Sequence, residues 1–380
     1  MKNIQLQYIN STWKEISNSL QSSNLTPQLV FAFGSTGLVG SEETFNYLKD
    51  KFPSADIISA STSGEIIGDN LFDDTVVVTA IEFEKTVIKA VSTNFSDHNN
   101  SFEVGKHLMQ ELLANDLRSV FVISEGSFIN GSELVSGLNE NKPEKVSITG
   151  GLAGDAARFK QTLVGLNHTA QEGKIVAIGF YGKNITVGHS SFGGWDEFGR
   201  ERIVTKSNKN VLFELDNENA LDLYKEYLGP YVDELPGSAL LFPLSIKLES
   251  NNKNLVRTIL TIDEQKKSMT FAGNLPVGSK VRLMKANFEK LIEASSKAAS
   301  EAITDISATP QLAILISCVG RKLILQERTN EEVVAAKQIF GNNTTITGFY
   351  SYGEISPFNP NTNCELHNQT MTITTFSETE

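Results

Sequence analysis

The chain is poor in the residues that mark several protein classes. It has two cysteines, Cys318 and Cys364, and five histidines in 380 residues. No Cys-x-x-Cys pair, His-Glu-x-x-His helix or Gly-x-Ser-x-Gly elbow occurs, so common signatures of metal sites and hydrolases are missing. Basic residues are outnumbered, 33 Lys and Arg against 45 Asp and Glu, for a net charge of -12. Such a surface repels phosphate backbones and anionic lipids, which argues against nucleic acid and membrane surfaces as partners. No apolar run approaches the roughly 20 residues that cross a bilayer. The opening "MKNIQLQYINSTWKEISNSL" lacks the apolar core of a secretion signal. With so little cysteine, this leads us to expect a cytoplasmic, reducing setting and two free thiols.

What is present reads as globular: 40% hydrophobic and 21% charged residues. A chain of 380 residues exceeds what one core usually serves. Two domains are expected, 1–200 and 201–380, with the boundary near 195–205.

Nine short, β-branched runs read as buried strands, because they are continuous rather than alternating. They begin with "LVFAFGSTG" (29–37) and end with "TMTITTF" (370–376). Helical patterns lie between them at 41–52, 102–115, 287–303 and 329–340. The last opens with Thr329 and Glu332 at capping-box spacing. The strands fall into three sets of one shape: a strand ending in a Ser/Gly turn, a helix or loop, a strand ending in a Gly turn, and a third strand. Gly-Glu-Ile recurs literally at 64–66 and 353–355. The expected fold is α/β, with α+β as the mixed alternative, built from duplicated strand–Gly-turn units in two domains. An antiparallel meander is expected around 201–300, where polar turns and a helix from about Ala220 replace the Gly turns.

Ends of parallel strands are where α/β sheets bind ligands. Here they carry Ser35, Thr36, Ser63, Glu65, Glu125, Asp155, Cys318, Arg321, Tyr350, Tyr352 and Glu354. An Arg, acids and hydroxyls suit a small zwitterion such as an amino acid, the Arg gripping its carboxylate. "GSTGLVGS" (34–41) has the look of a phosphate cradle but lacks the Lys of a P-loop. The Gly cluster 150–155 admits a close ligand approach with Asp155 as anchor. In "CELHNQTMTI" (364–373), strand alternation from Met371 and Ile373 places Gln369 and His367 on the apolar face, and Asn368 with Thr370 on the other. Buried polar groups need partners, so these form a structural network or the polar part of a pocket. Cys318 with His367 would be a nucleophile–base pair in an enzymatic reading.

The segments "STSGEIIG", "ITGGLAGDAARFKQT", "ELDNENALDLYKEYLG", "ISCVGR", "GFYSYGEISP" and "CELHNQTM" resemble, in order, the signature segments of FIST proteins. The resemblance covers about 28–375. It implies a prokaryotic signal-transduction sensor without enzymatic activity that binds a small ligand such as an amino acid. Gly64, Glu65, Gly151, Gly154, Asp155, Cys318, Arg321, Gly353, Glu354, His367, Asn368 and Gln369 match the family pattern. No fused kinase or cyclase segment is read, so output is expected through a separate partner protein. The alternatives are a haem-binding nitric-oxide sensor regulating a histidine kinase, and a small-molecule enzyme using Cys318 or the acids. The resemblance assigns no histidine to haem, and no cofactor is expected on the first reading.

Overall fold

The computed structural model describes residues 1–18, 26–235, 237–247, 254–304 and 309–379. The polar turn read at 248–254 lies, apart from Asn254, outside the described residues. Three six-stranded sheets and one eight-stranded sheet carry the chain. No helix among the described residues is long and apolar enough to cross a membrane.

The three sets of strands form three units of one topology. In unit I the first strand, Leu29–Gly34, runs parallel to the second, Asp56–Ser61, and antiparallel to the third, Val76–Glu82. In unit II the same roles fall to Leu117–Ser124, Ser147–Leu152 and Lys174–Tyr181. In unit III they fall to Leu312–Cys318, Thr345–Ser351 and Met371–Glu378. Each third strand also pairs antiparallel with a lead strand that opens its unit: Lys2–Ile9, Val87–Asn94 or Ile185–Phe192.

Between its second and third strands each unit gives a short strand to a neighbour's sheet. Glu65–Ile67 of unit I pairs with the second strand of unit III. Gly353–Pro357 of unit III pairs with the second strand of unit II. Val164–Leu166 of unit II pairs with the second strand of unit I. The exchange closes a ring, so all three sheets contain chain from two units. Strands from either side of residue 200 therefore share sheets.

This arrangement explains the continuous apolar strands. One face of each six-stranded sheet meets a common core, and the other is covered by helices or loops of its own unit. In the common core, aromatic rings join the units pairwise. Phe31 of unit I meets Phe121 of unit II at 5.5 Å, Phe33 meets Phe349 of unit III at 4.7 Å, and Phe180 of unit II meets Phe376 of unit III at 4.9 Å. Each fully buried Phe contributes roughly 1.5–3 kcal/mol. Every unit thus depends on both others.

The helices Glu42–Lys51, Ser101–Leu112, Phe288–Ala302 and Thr329–Phe340 lie where the apolar periodicity places them. Ser41 accepts from Thr44 N, and Asn287 from Lys290 N, as N-caps. The capping box at Thr329 does not form. Thr329 Oγ1 donates to the Gln326 carbonyl, and Glu332 turns into the core toward Arg321. A buried cation without a counter-ion costs more than an uncapped N–H, and that balance decides where Glu332 goes.

The region from Asp196 to Lys285 is an antiparallel module of its own, set between the lead strand and the first strand of unit III. Its core includes Leu212, Leu221, Tyr224 and Phe271, with the helix Ala220–Leu228 against the sheet.

Candidate functional site

The ends of the three second strands meet and bond to one another. Ser63 N donates to the Tyr350 carbonyl at 2.8 Å, and Tyr350 N to the Gly64 carbonyl at 2.8 Å, tying unit I to unit III. Gly154 N donates to the Ser61 carbonyl at 3.0 Å and Ala156 N to the Thr62 carbonyl at 3.1 Å, tying unit II to unit I. Tyr352 N donates to the Leu152 carbonyl at 3.1 Å, tying unit III to unit II. The crossing is tight: a Cβ on Gly154 would lie 2.4 Å from Ser63 Oγ. Gly here is required by the approach of another strand end.

Buried carboxylates organise the turns around this junction. Glu65 accepts Thr62 Oγ1 at 2.6 Å, Thr75 N at 3.1 Å and Thr75 Oγ1 at 2.8 Å. Glu354 repeats the pattern, accepting Ser351 Oγ at 2.8 Å, Thr370 N at 3.2 Å and Thr370 Oγ1 at 2.8 Å. In both, a hydroxyl three residues earlier binds one oxygen, and the Thr that leads into the unit's third strand binds the other. Burial pushes Glu65 up to about 7 and Glu354 up to about 8, against the bonds that favour the ions. Glu125 takes Ser127 N, Phe128 N and Thr162 Oγ1.

Asp155 holds the loop that follows. Its carboxylate accepts the Tyr352 hydroxyl and the N–H groups of Phe159, Lys160 and Gln161. Burial alone would raise this carboxyl, but those four donors outweigh it and hold it below the usual range. Phe159 stacks on Tyr352 at 4.8 Å and stays half exposed. Arg158 reaches Thr36 Oγ1 at 3.3 Å. Ser35 precedes the four-residue helix Thr36–Val39 and accepts no cap bond.

Arg321 is placed differently from its sequence role. It is fully buried and binds Glu332 through Nε at 2.9 Å and Nη2 at 2.6 Å. Its remaining donors go to the carbonyls of Gly193, Leu291 and Gln369. Glu332 in turn accepts Ser317 Oγ at 2.8 Å and the Tyr350 hydroxyl at 2.5 Å. A guanidinium has five N–H groups. With these engaged, Arg321 offers a ligand carboxylate no free fork in this arrangement.

The segment 364–373 is buried but is not one strand. Cys364–His367 pairs with Gly353–Pro357 in the sheet of unit II, and Met371–Glu378 lies in the sheet of unit III. Gln369 has a left-handed backbone, φ 62°, which breaks the alternation that the sequence implies. The crossing between sheets is the physical reason. His367 Nε2 lies 2.9 Å from the Ser356 carbonyl, and its ring meets Phe358 edge-on at 4.7 Å. The Gln369 carbonyl accepts Trp195 Nε1 at 2.9 Å and Arg321 Nη1 at 3.5 Å. Both side-chain amide atoms of Asn368 and of Gln369 are buried with no hydrogen-bond partner among the described residues.

Both cysteines are buried and free. Burial pushes both thiols up, so Cys318 is held as a thiol and not as the nucleophilic thiolate. Gly151 lies in the sheet of unit II against Ile316, whose Cγ2 would sit 2.9 Å from a Cβ there.

Sequence reasoning missed Glu332, Trp195, Thr75, Lys322 and Arg257. Lys322 Nζ caps the Ser63 carbonyl at 2.8 Å, and Arg257 of the inserted module donates to the Leu366 carbonyl at 3.0 Å. Of these only Thr75 left a signal, since Thr75 and Thr370 stand at equivalent points before the third strands of units I and III.

The FIST N domain matches residues 28–218 and the FIST C domain matches residues 220–357. No curated protein matches the chain.

Proposed function

From the premise that the chain belongs to the FIST family of signal-transduction sensor domains, we propose that it senses a small molecule at the junction of its three units. The carrying observation is the ring of exchanged strands, which brings the ends of all three second strands into one hydrogen-bonded knot. A ligand bound there would touch groups fixed by different sheets. It shifts the chain between conformations only through different affinity for each.

The inserted module is the proposed output element. It grips the junction through Arg257 on the Leu366 carbonyl, and the helix Phe288–Ala302 that follows it in the chain holds Arg321 through the Leu291 carbonyl. Signalling then passes to a separate protein, a histidine kinase being the first candidate, in the cytoplasm of a prokaryote. Binding rather than turnover is the reading, because the buried Cys318 thiol and the fully bonded Asp155 are not poised for chemistry.

The test is a thermal-shift screen of the full chain against amino acids, amides and other small metabolites. A ligand that binds only the folded state raises apparent stability. At least one compound is expected to raise Tm saturably and to lose its effect when Gly154 is changed to Ala. Hemin belongs in the same screen: a saturable Soret shift at one equivalent, abolished by changing one histidine, would replace this reading with the haem one.

A further inference from the structure

Two neighbouring amides, Asn368 and Gln369, are 1% and 0% exposed, and all four of their side-chain polar atoms lack a partner among the described residues. Buried polar groups in native proteins are nearly always bonded, and each exception asks for a bound molecule, a water or a stored strain. Here strain is present as well. Gln369 is a non-glycine residue at φ 62°, outside the region such a side chain prefers. Its backbone is pinned there by Trp195 Nε1 and Arg321 on its carbonyl. Gly320 lies against the amide, since a Cβ at that position would come within 2.4 Å of Gln369 Nε2. The chain therefore fixes the backbone, clears a side chain away, and leaves the amide unbonded.

We infer that Asn368 and Gln369 form the ligand-reading part of the junction and that they take a small uncharged molecule with both donors and acceptors, of the carboxamide or urea class. This rests on the proposed sensing function and names its ligand. Two amides present two acceptor and two donor groups and no charge. The charged groups bonded to this segment are already engaged. Arg321 is neutralised by Glu332 at 2.6 Å, and Glu354, bonded to Thr370 beside the amides, is fully buried. A zwitterion would bring two charges into a site with no free counter-charge, which costs far more than a neutral amide would. The place also suits signalling, because residues 368–370 are where the chain leaves the sheet of unit II for that of unit III.

The experiment uses the full chain, with propionamide and N-methylurea as probes and propionate and propylammonium as charged counterparts. Two readouts are followed, Tm and the indole N–H resonance of Trp195, which bonds to the Gln369 carbonyl. Only two tryptophans are present, so the signal is assignable by changing Trp13 to Phe. The expected result is a saturable shift of the Trp195 resonance with the uncharged probes and none with the charged ones. Asn368→Leu and Gln369→Met should weaken that response at least about tenfold, as loss of a hydrogen-bonding group in a polar site does. Their Tm should equal or exceed that of the parent, because an unbonded buried amide is replaced by an apolar group. Uncharged probes that never saturate, or a lowered Tm in both variants with probe response intact, would overturn the inference and leave these amides as water-bonded structure. If propionate or an amino acid binds instead, the ligand class is wrong while sensing stands. If no compound of either kind binds, both fall.

Discussion

Arg321 and Glu332, eleven residues apart and each with a side chain 0% exposed, meet through two N–H groups on one carboxylate oxygen. The pair joins the turn after the first strand of unit III to the helix Thr329–Phe340. Through Arg321's other donors it also holds the Gly193, Leu291 and Gln369 carbonyls. Removing one partner strands a buried charge, which costs about 3–5 kcal/mol. Arg321→Met is expected to lose that much in urea unfolding. Arg321→Met with Glu332→Gln should lose less than Arg321→Met alone. An additive result would mean that the two side chains do not act as a pair.

The paired acids Glu65 and Glu354 make stability depend on pH. Their folded values, about 7 and about 8, lie above the unfolded carboxylate value, so the folded state holds protons that the unfolded state releases. Their contribution is full below pH ~4.5 and is lost as pH rises through about 7 to 8. Each gives a slope of up to about 1.4 kcal/mol per pH unit in that window. Glu354→Gln should flatten the fall in stability between pH 5 and 8, measured by urea melts. A stability that rises over this range, and a mutant that leaves the slope intact, would refute the assignment.

Much of this was legible in the sequence. The three strand sets, their Gly turns and their shared shape follow from composition and spacing, because a buried strand must be apolar and its turn must be small. The literal Gly-Glu-Ile repeat marks two exchanged segments in equivalent turns. The exchange itself was not legible. Glu65–Ile67 is three residues long, and nothing local in it states which sheet it joins. Glu332 reads as a capping residue, because its buried partner Arg321 is set by tertiary packing. Likewise "CELHNQTMTI" reads as one strand, since a Gln at positive φ has no sequence signal.

The ring of exchanged strands predicts that the halves do not fold alone. A 1–200 fragment lacks Gly353–Pro357, which completes the sheet of unit II, and Phe349 and Phe376, which close the common core. It should give a poorly dispersed proton–nitrogen correlation spectrum. Co-expression with 201–380 should restore native dispersion, whereas a well-dispersed spectrum of the fragment alone would show the units to be independent.

Asp155 and Tyr352 clamp the loop 156–161. Tyr352→Phe removes one of four donors to the carboxylate, a charged hydrogen bond worth about 1.5–3 kcal/mol. Exchange of the Phe159, Lys160 and Gln161 amides is expected to accelerate at least tenfold, with the strands of unit II little changed. Unaltered exchange at these three amides would show that the loop is held by other means.

Hydrogen exchange of the full chain, with and without a compound that raises Tm, tests the sensing account most directly. The account predicts protection at the three strand ends, near 61–65, 152–156 and 350–354, and at the crossover 367–371, with altered exchange in the helix 288–302. Protection confined to the inserted module 196–285, with those strand ends and the crossover unchanged, would contradict it.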